Sequence, residues 1–267
     1  MNDTRWESCT EPEEMLWYLH DLASDRLLRL FACASCRLIW PLVSTPDARK
    51  AVEMSEHFAD GLTTSEELRV IEMAAQRSRP SGVWLAAWAA AETANADPWQ
   101  AAQWAPVWAA EAAGRLTLAV SADRSPLEVG DHAWHRERQS QCAVLRDILG
   151  NPLKSLTMSP AGKQWNRGNV ASLARSIYEH GRFADLPQLA DALEQAGCTD
   201  SKVLNHCRSA NHHVRGCWVL DELLGKRPEP RACTSSAWGR RRRDGLSYRL
   251  LVNERGVAQR STPLLVA

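Results

Sequence analysis

Several things that would place this chain quickly are missing from it. In 267 residues there are only three phenylalanines and three tyrosines, and the formal net charge is zero. No apolar run reaches the roughly 18 uninterrupted residues of a membrane-spanning helix. The longest charge-free stretch, 98–110, is broken by Gln100 and Gln103. The acidic opening, 1–14, holds no apolar core of signal-peptide length, so the expectation is a cytoplasmic protein with no membrane partner. No phosphate loop, dinucleotide glycine pattern, HExxH or nucleophile elbow occurs, which excludes the common enzyme signatures and leans the reading away from an enzyme. Alternating residues appear only in the LSYRLLV stretch near the end, and a lone strand has no partner there.

What is present is tryptophan, cysteine and an uneven charge distribution. There are 12 tryptophans, 8 cysteines and 8 histidines. From Arg227 onward nine arginines face three acids, a net of +6, which leaves the body at −6. An acidic body is a poor phosphate surface, so nucleic-acid binding would fall to the tail.

Helix signals recur along the body. Thr10 and Glu13 have capping-box spacing around Pro12. Ser24 opens a helix running to Pro41, with Leu27, Leu30, Phe31, Ala34 and Leu38 on one face and Arg29, Cys33, Cys36 and Trp40 on the other, as expected of a central helix. Thr45 with Pro46 starts the next, which Gly61 ends, and Thr64 with Glu67 predicts another ending near Pro80. The alanine-rich stretch from Val83 to Val120 reads as two close-packed helices restarting at Asp97 and Pro98, with Pro106 a kink. Ser121–Gly130 reads as a loop, and His132–Leu149 as a helix. Short helices then follow over 170–180, 186–196, 200–208 and 213–224, punctuated by glycine.

The fold expected is therefore all-α, an irregular multi-helix bundle of about ten helices. It divides into a front region 1–159, a four-helix back module 160–226 able to pack with the front, and a basic, largely disordered tail 227–267.

SCTEPEEML, SDRLLRLFACASCRLIW, LRDILGNPL and LPQLADALEQAGCTDSKVLNHCRSANHHVRGCWVLDELLGK together resemble a planctomycete-type bacterial family of hypothetical proteins. The resemblance spans roughly Trp6 to Lys226, with a variable alanine-rich middle, and stops before the arginine-rich tail. It implies no substrate, cofactor or catalytic residue.

The strongest chemical signal is Cys33 and Cys36 together with Cys207, His213 and Cys217, because thiolate and imidazole are the ligands tetrahedral zinc prefers. On the expected helices each pair shares a face, Cys33 with Cys36 and His213 with Cys217, and His206 or Cys207 could substitute for a member. The sequence reading expects no cofactor first, and zinc is the one it allows. The competing reading is packing, since free cysteine behaves as a small buried hydrophobe, and no zinc-finger spacing joins the halves. A redox role for Cys33 and Cys36 suffers from their position two to three turns inside a helix. Asp131, His132, His135 and Glu137 read as a solvated helix face, and Asp191, Glu194 and Asp200 as surface charge.

Arg240, Arg241, Arg242 and Arg243 beside Trp238 could hold phosphates but supply no base readout. Trp84, Trp88, Trp104 and Trp108, paired at helical spacing, are core or interface anchors. The function expected first is a non-catalytic helical module binding another protein, with a zinc-stabilised helical protein or metalloenzyme and tail-driven nucleic-acid binding as alternatives.

Overall fold

A computed structural model describes residues 1–78, 84–120, 126–153, 168–209 and 212–226, and the side chains of 116–129 are outside the description. All regular structure among these residues is helical. The order is α1 (Asp3–Ser8), α2 (Pro12–Leu19), α3 (Asp25–Leu38), α4 (Pro46–Ala59), α5 (Ser65–Arg77), α6 (Trp84–Thr93), α7 (Pro98–Val120), α8 (Pro126–Leu149), α9 (Asn169–His180), α10 (Leu186–Gln195), α11 (Ser201–Arg208) and α12 (Trp218–Leu224). Short 3-10 turns lie at Trp40–Leu42 and Phe183–Asp185. No helix is long and apolar enough to cross a membrane among the described residues.

Local chemistry sets several helix starts. The side chains of Ser24, Thr45 and Thr64 accept hydrogen bonds from the backbone N–H groups of Leu27, Ala48 and Glu67, and Thr64 with Glu67 completes a capping box. Each such cap contributes about 1 kcal/mol by satisfying an orphan donor. The box expected at Thr10 and Glu13 does not form. Glu11 is the N-cap of α2, and the Glu13 carboxylate reaches instead to Arg138 on α8, 2.6 Å away. α8 already begins at Pro126, inside the stretch 121–130 expected to be a loop, whose residues 121–125 lie outside the described ones.

α3 is the central element, packed against α4, α6, α7 and α8. Every residue from Leu27 to Cys36 is buried, which explains why both its faces carry small or apolar side chains. The alanines of α6 and α7 let those helices approach closely, and Gly114 does the same between α7 and α8, where a Cβ would lie 3.3 Å from the Gly130 carbonyl.

The front core gathers Trp6, Met15, Leu19, Leu30, Phe31, Leu145 and Ile148, whereas Ile177, Leu186, Leu189, Val203 and Leu220 build a second core from α9 to α12. Residues Met1–Arg231 nonetheless form one compact unit. Asp60, just past α4, joins the two cores: its carboxylate accepts from the Tyr178 hydroxyl (2.8 Å), from Arg26 and from Arg215 (3.0 Å), and lies 3.3 Å from Lys226 Nζ. Arg26 also pairs with the buried Asp221 of α12 at 2.5 Å. The boundary expected near 160–168, up to residue 167, and the tail 227–267, including Arg240 to Arg243, lie outside the described residues.

Candidate metal centre

α8 presents Leu145 and Ile148 to the front core, and between them it carries a carboxylate, Asp147, with only 2 % of its surface exposed. A buried carboxylate is costly unless charge and hydrogen bonds compensate it. The compensation comes from the segment joining α11 to α12. His206 lies in the last turn of α11, His213 and Val214 lie in the connection, and Cys217 is the N-cap residue of α12.

The distances are short. His213 Nδ1 is 2.6 Å from Asp147 Oδ1 and His206 Nε2 is 3.1 Å from the same oxygen. His206 Nε2 is also 3.2 Å from Cys217 Sγ, and the Val214 N–H donates to Asp147 Oδ2 at 2.9 Å. One ligand atom from each of Asp147, His206, His213 and Cys217 falls within 4.8 Å of every other. Tetrahedral zinc, with bonds of ~2.0–2.3 Å, sets its ligand atoms roughly 3.3–3.8 Å apart. To reach that spacing His213 Nδ1 would withdraw from Asp147 Oδ1, and any pair near the 4.8 Å limit would close by about 1 Å.

Surrounding contacts orient the set. Asp147 Oδ2 is occupied by the Val214 amide, which leaves Oδ1 towards the imidazoles, and His213 Nε2 lies 3.4 Å from Ser209 Oγ. Outer contacts of this kind fix ring orientation in metal sites. The His206 ring packs against His213 and Trp218, with centroids 4.9 and 5.1 Å away. Gly216 makes the approach of the segment possible: it holds φ at +93°, and a Cβ there would sit 2.8 Å from Leu30 Cδ1. Only glycine adopts that conformation without strain.

The two acids of the set shift in opposite directions. Burial pushes the Asp147 carboxyl up, but hydrogen bonds from His206 and His213 outweigh it and hold the group below the ordinary carboxylate range. Burial drives the Cys217 thiol well above its ordinary value, with the nearby Asp147 charge adding to this and the backbone N–H groups of Leu220 and Val219 opposing it. A metal ion bound here would displace the Cys217 proton, and the resulting thiolate, the Asp147 carboxylate and two neutral imidazoles would carry −2, which one divalent cation neutralises.

The cysteine and histidine residues singled out in the sequence separate here. His213 and Cys217 enter the cluster, though not as neighbours on a helix: α12 starts at Trp218, because Gly216 in the left-handed region interrupts the helical periodicity. Cys207 is buried in the second core, and burial pushes its thiol up to about 12. Cys33 and Cys36 belong to no metal-ligating group among the described residues. Cys33 Sγ faces the Val52 carbonyl of α4 at 3.8 Å, and burial raises both thiols, the reverse of what an activated redox cysteine needs.

Asp147 was not legible as a site residue, although an aspartate set among Leu145, Ile148 and Leu149 in LRDILGNPL is the available signal. Asp131, His132 and His135 are exposed as expected of a solvated face, whereas Glu137 is buried. Asp191 and Glu194 pair with Arg208 at the surface, and Asp200 caps α11. Trp108 lies between Trp84 and Trp88, at 6.3 and 6.0 Å, so these three rings fill the α6/α7 interface, and Trp104 is half-buried on α7.

His213 also borders a cleft of about 490 Å³ between α3, α4 and the end of α9. Comparison with protein-family models, curated proteins and solved structures finds no match, so the geometry of this centre is what any functional reading rests on.

Proposed function

We propose that this chain is a zinc-binding helical protein in which the metal, held by Asp147, His206, His213 and Cys217, fastens the α11–α12 segment to α8. The convergence of those four ligand atoms within 4.8 Å carries the reading. Four protein ligands complete a tetrahedral shell, which suits a structural rather than a catalytic ion. Cys217 must be reduced to ligate, losing its proton as the metal binds, and a reducing compartment such as the cytoplasm keeps the sulfur reduced.

Metal analysis of the purified chain tests the reading. About one equivalent of zinc per chain is expected, lost in Asp147→Ala and Cys217→Ala and retained in Cys33→Ala and Cys36→Ala. Cobalt in place of zinc should show a thiolate charge-transfer absorption that Cys217→Ser abolishes. A wild-type chain with no stoichiometric metal, whose melting temperature ignores added zinc and chelator, refutes the proposal.

A second reading, a module that binds another protein, has one observation in its favour. Trp17 is 52 % exposed and stands against Trp99 and His20 at 5.6 and 6.2 Å, an aromatic surface of the kind enriched at binding hot spots. Under that reading Trp17→Ala abolishes recovery of a specific partner from native extract while leaving the melting temperature unchanged, and an unaffected recovery rejects Trp17 as an anchor.

A further inference from the structure

A buried metal site needs an entry path, and its ligands here differ in how they meet solvent. Asp147 and Cys217 are enclosed. His213 forms part of the cleft wall, while His206 is 16 % exposed and does not line the cleft. Two routes to the centre follow, one through the cleft to His213 and one past His206.

Their charges separate them. In the cleft, Arg37 is neutralised by a two-pronged pair with Glu56, at 2.9 and 2.8 Å, and Arg215 is held by Asp60 and stacked on Tyr178. Glu53 and Glu179 remain there with neither an ion pair nor a hydrogen bond through their carboxylates among the described residues, accompanied by the imidazoles of His57 and His180. α9 also ends at this cleft, with the αL residue Gly181 on its lining, so the negative end of that helix faces it. The other route carries Lys202, which lies four residues before His206 on α11 and hence on the same face, while Arg208 there is taken up by Asp191 and Glu194.

We propose that the cleft is the loading route of the metal centre, in which Glu53 and Glu179, assisted by His57 and His180, gather a divalent transition-metal ion and pass it to His213. This rests on the zinc-site reading above. Three carboxylates on the lining, Glu53, Glu56 and Glu179, outnumber its two guanidinium groups, Arg37 and Arg215, and that excess concentrates cations in the cleft. Charge that lowers the barrier along a route without touching the bound state speeds exit as well as entry, because the affinity fixes their ratio. Glu53 and Glu179 are not ligands of the final site, so they set the rate of exchange and leave the affinity nearly alone.

The experiment follows zinc leaving the loaded protein into a chelator, at chelator concentrations where the rate has levelled off, with a metal-sensing dye as the readout. Glu53→Gln/Glu179→Gln should slow release roughly threefold to tenfold, a modest share of the 10- to 1,000-fold range of electrostatic steering. Zinc affinity should stay within about twofold of wild type, since equal slowing of entry and exit leaves their ratio fixed. The salt dependence of the wild-type rate should flatten in the double variant, and Lys202→Glu should leave the rate unchanged. An unchanged rate in the double variant, or faster exchange in Lys202→Glu, overturns the cleft route and assigns entry to the His206 side. A wild-type chain that holds no zinc instead refutes the metal centre itself, before any rate is measured.

Discussion

Glu137 offers the sharpest test of the energetics, because its carboxyl is buried with no cation paired to it among the described residues. It lies on α8 at 9 % exposure, and it accepts from the Gln141 side-chain amide at 3.2 Å. Burial pushes its pKa from 4.5 up to about 7. The folded state thus holds this proton more tightly than the unfolded chain does. Stability falls as pH rises through the window from about 4.5 to 7, and above it the full cost of a buried charge is present. A rise from 4.5 to about 7 corresponds to about 3 kcal/mol.

Glu137→Gln keeps an oxygen for the Gln141 amide and adds a donor for Gln141 Oε1, which is buried without a hydrogen-bond partner. Urea unfolding of wild type and variant from pH 4 to pH 8 should give nearly equal stabilities at the acid end. At pH 8 the variant should be more stable by on the order of 2–3 kcal/mol. Taking the difference at each pH cancels the other titrating groups. A difference that does not change with pH refutes the burial argument.

Other consequences are as concrete. Gly216→Ala forces a left-handed backbone and a contact with Leu30, so a loss of roughly 2 kcal/mol in chemical denaturation and weaker zinc retention are expected together. Asp60→Ala leaves Arg26, Arg215 and Lys226 around Asp221 alone and should cost about 3–5 kcal/mol, read as a lowered urea midpoint. Cys36→Ala removes one buried sulfur and should lower stability by about 1 kcal/mol without changing metal stoichiometry, whereas a loss of zinc would place Cys36 in the centre.

The helical class and several boundaries could be read from local chemistry, since a cap at Ser24, Thr45 or Thr64 involves residues three apart. α3 was readable as central because a helix with small and apolar residues on both faces has no solvent side. Contacts across the fold were less accessible. Glu13 gives up its capping role to Arg138, 125 residues away, and Asp147 acquires meaning only when His206 and His213 arrive from another helix pair. Cys33 and Cys36 have the spacing of ligands, but α4 covers Cys33 before any partner can reach it. The connection 212–217 misleads for another reason: its apolar spacing is helical, and one glycine with positive φ outweighs that pattern.

The Asp60 hub bears on reassembly. It fastens α9 and α12 to α3 and α4 independently of the zinc ligands, so removing the ion does not set the His206–Cys217 segment free from Asp147. The segment remains tethered beside α8, and closing the site again is an intramolecular event. Its effective concentration is then set by the hub and not by chain diffusion. Weakening the hub should therefore lower zinc affinity at a distance, through the cost of bringing the ligands back together.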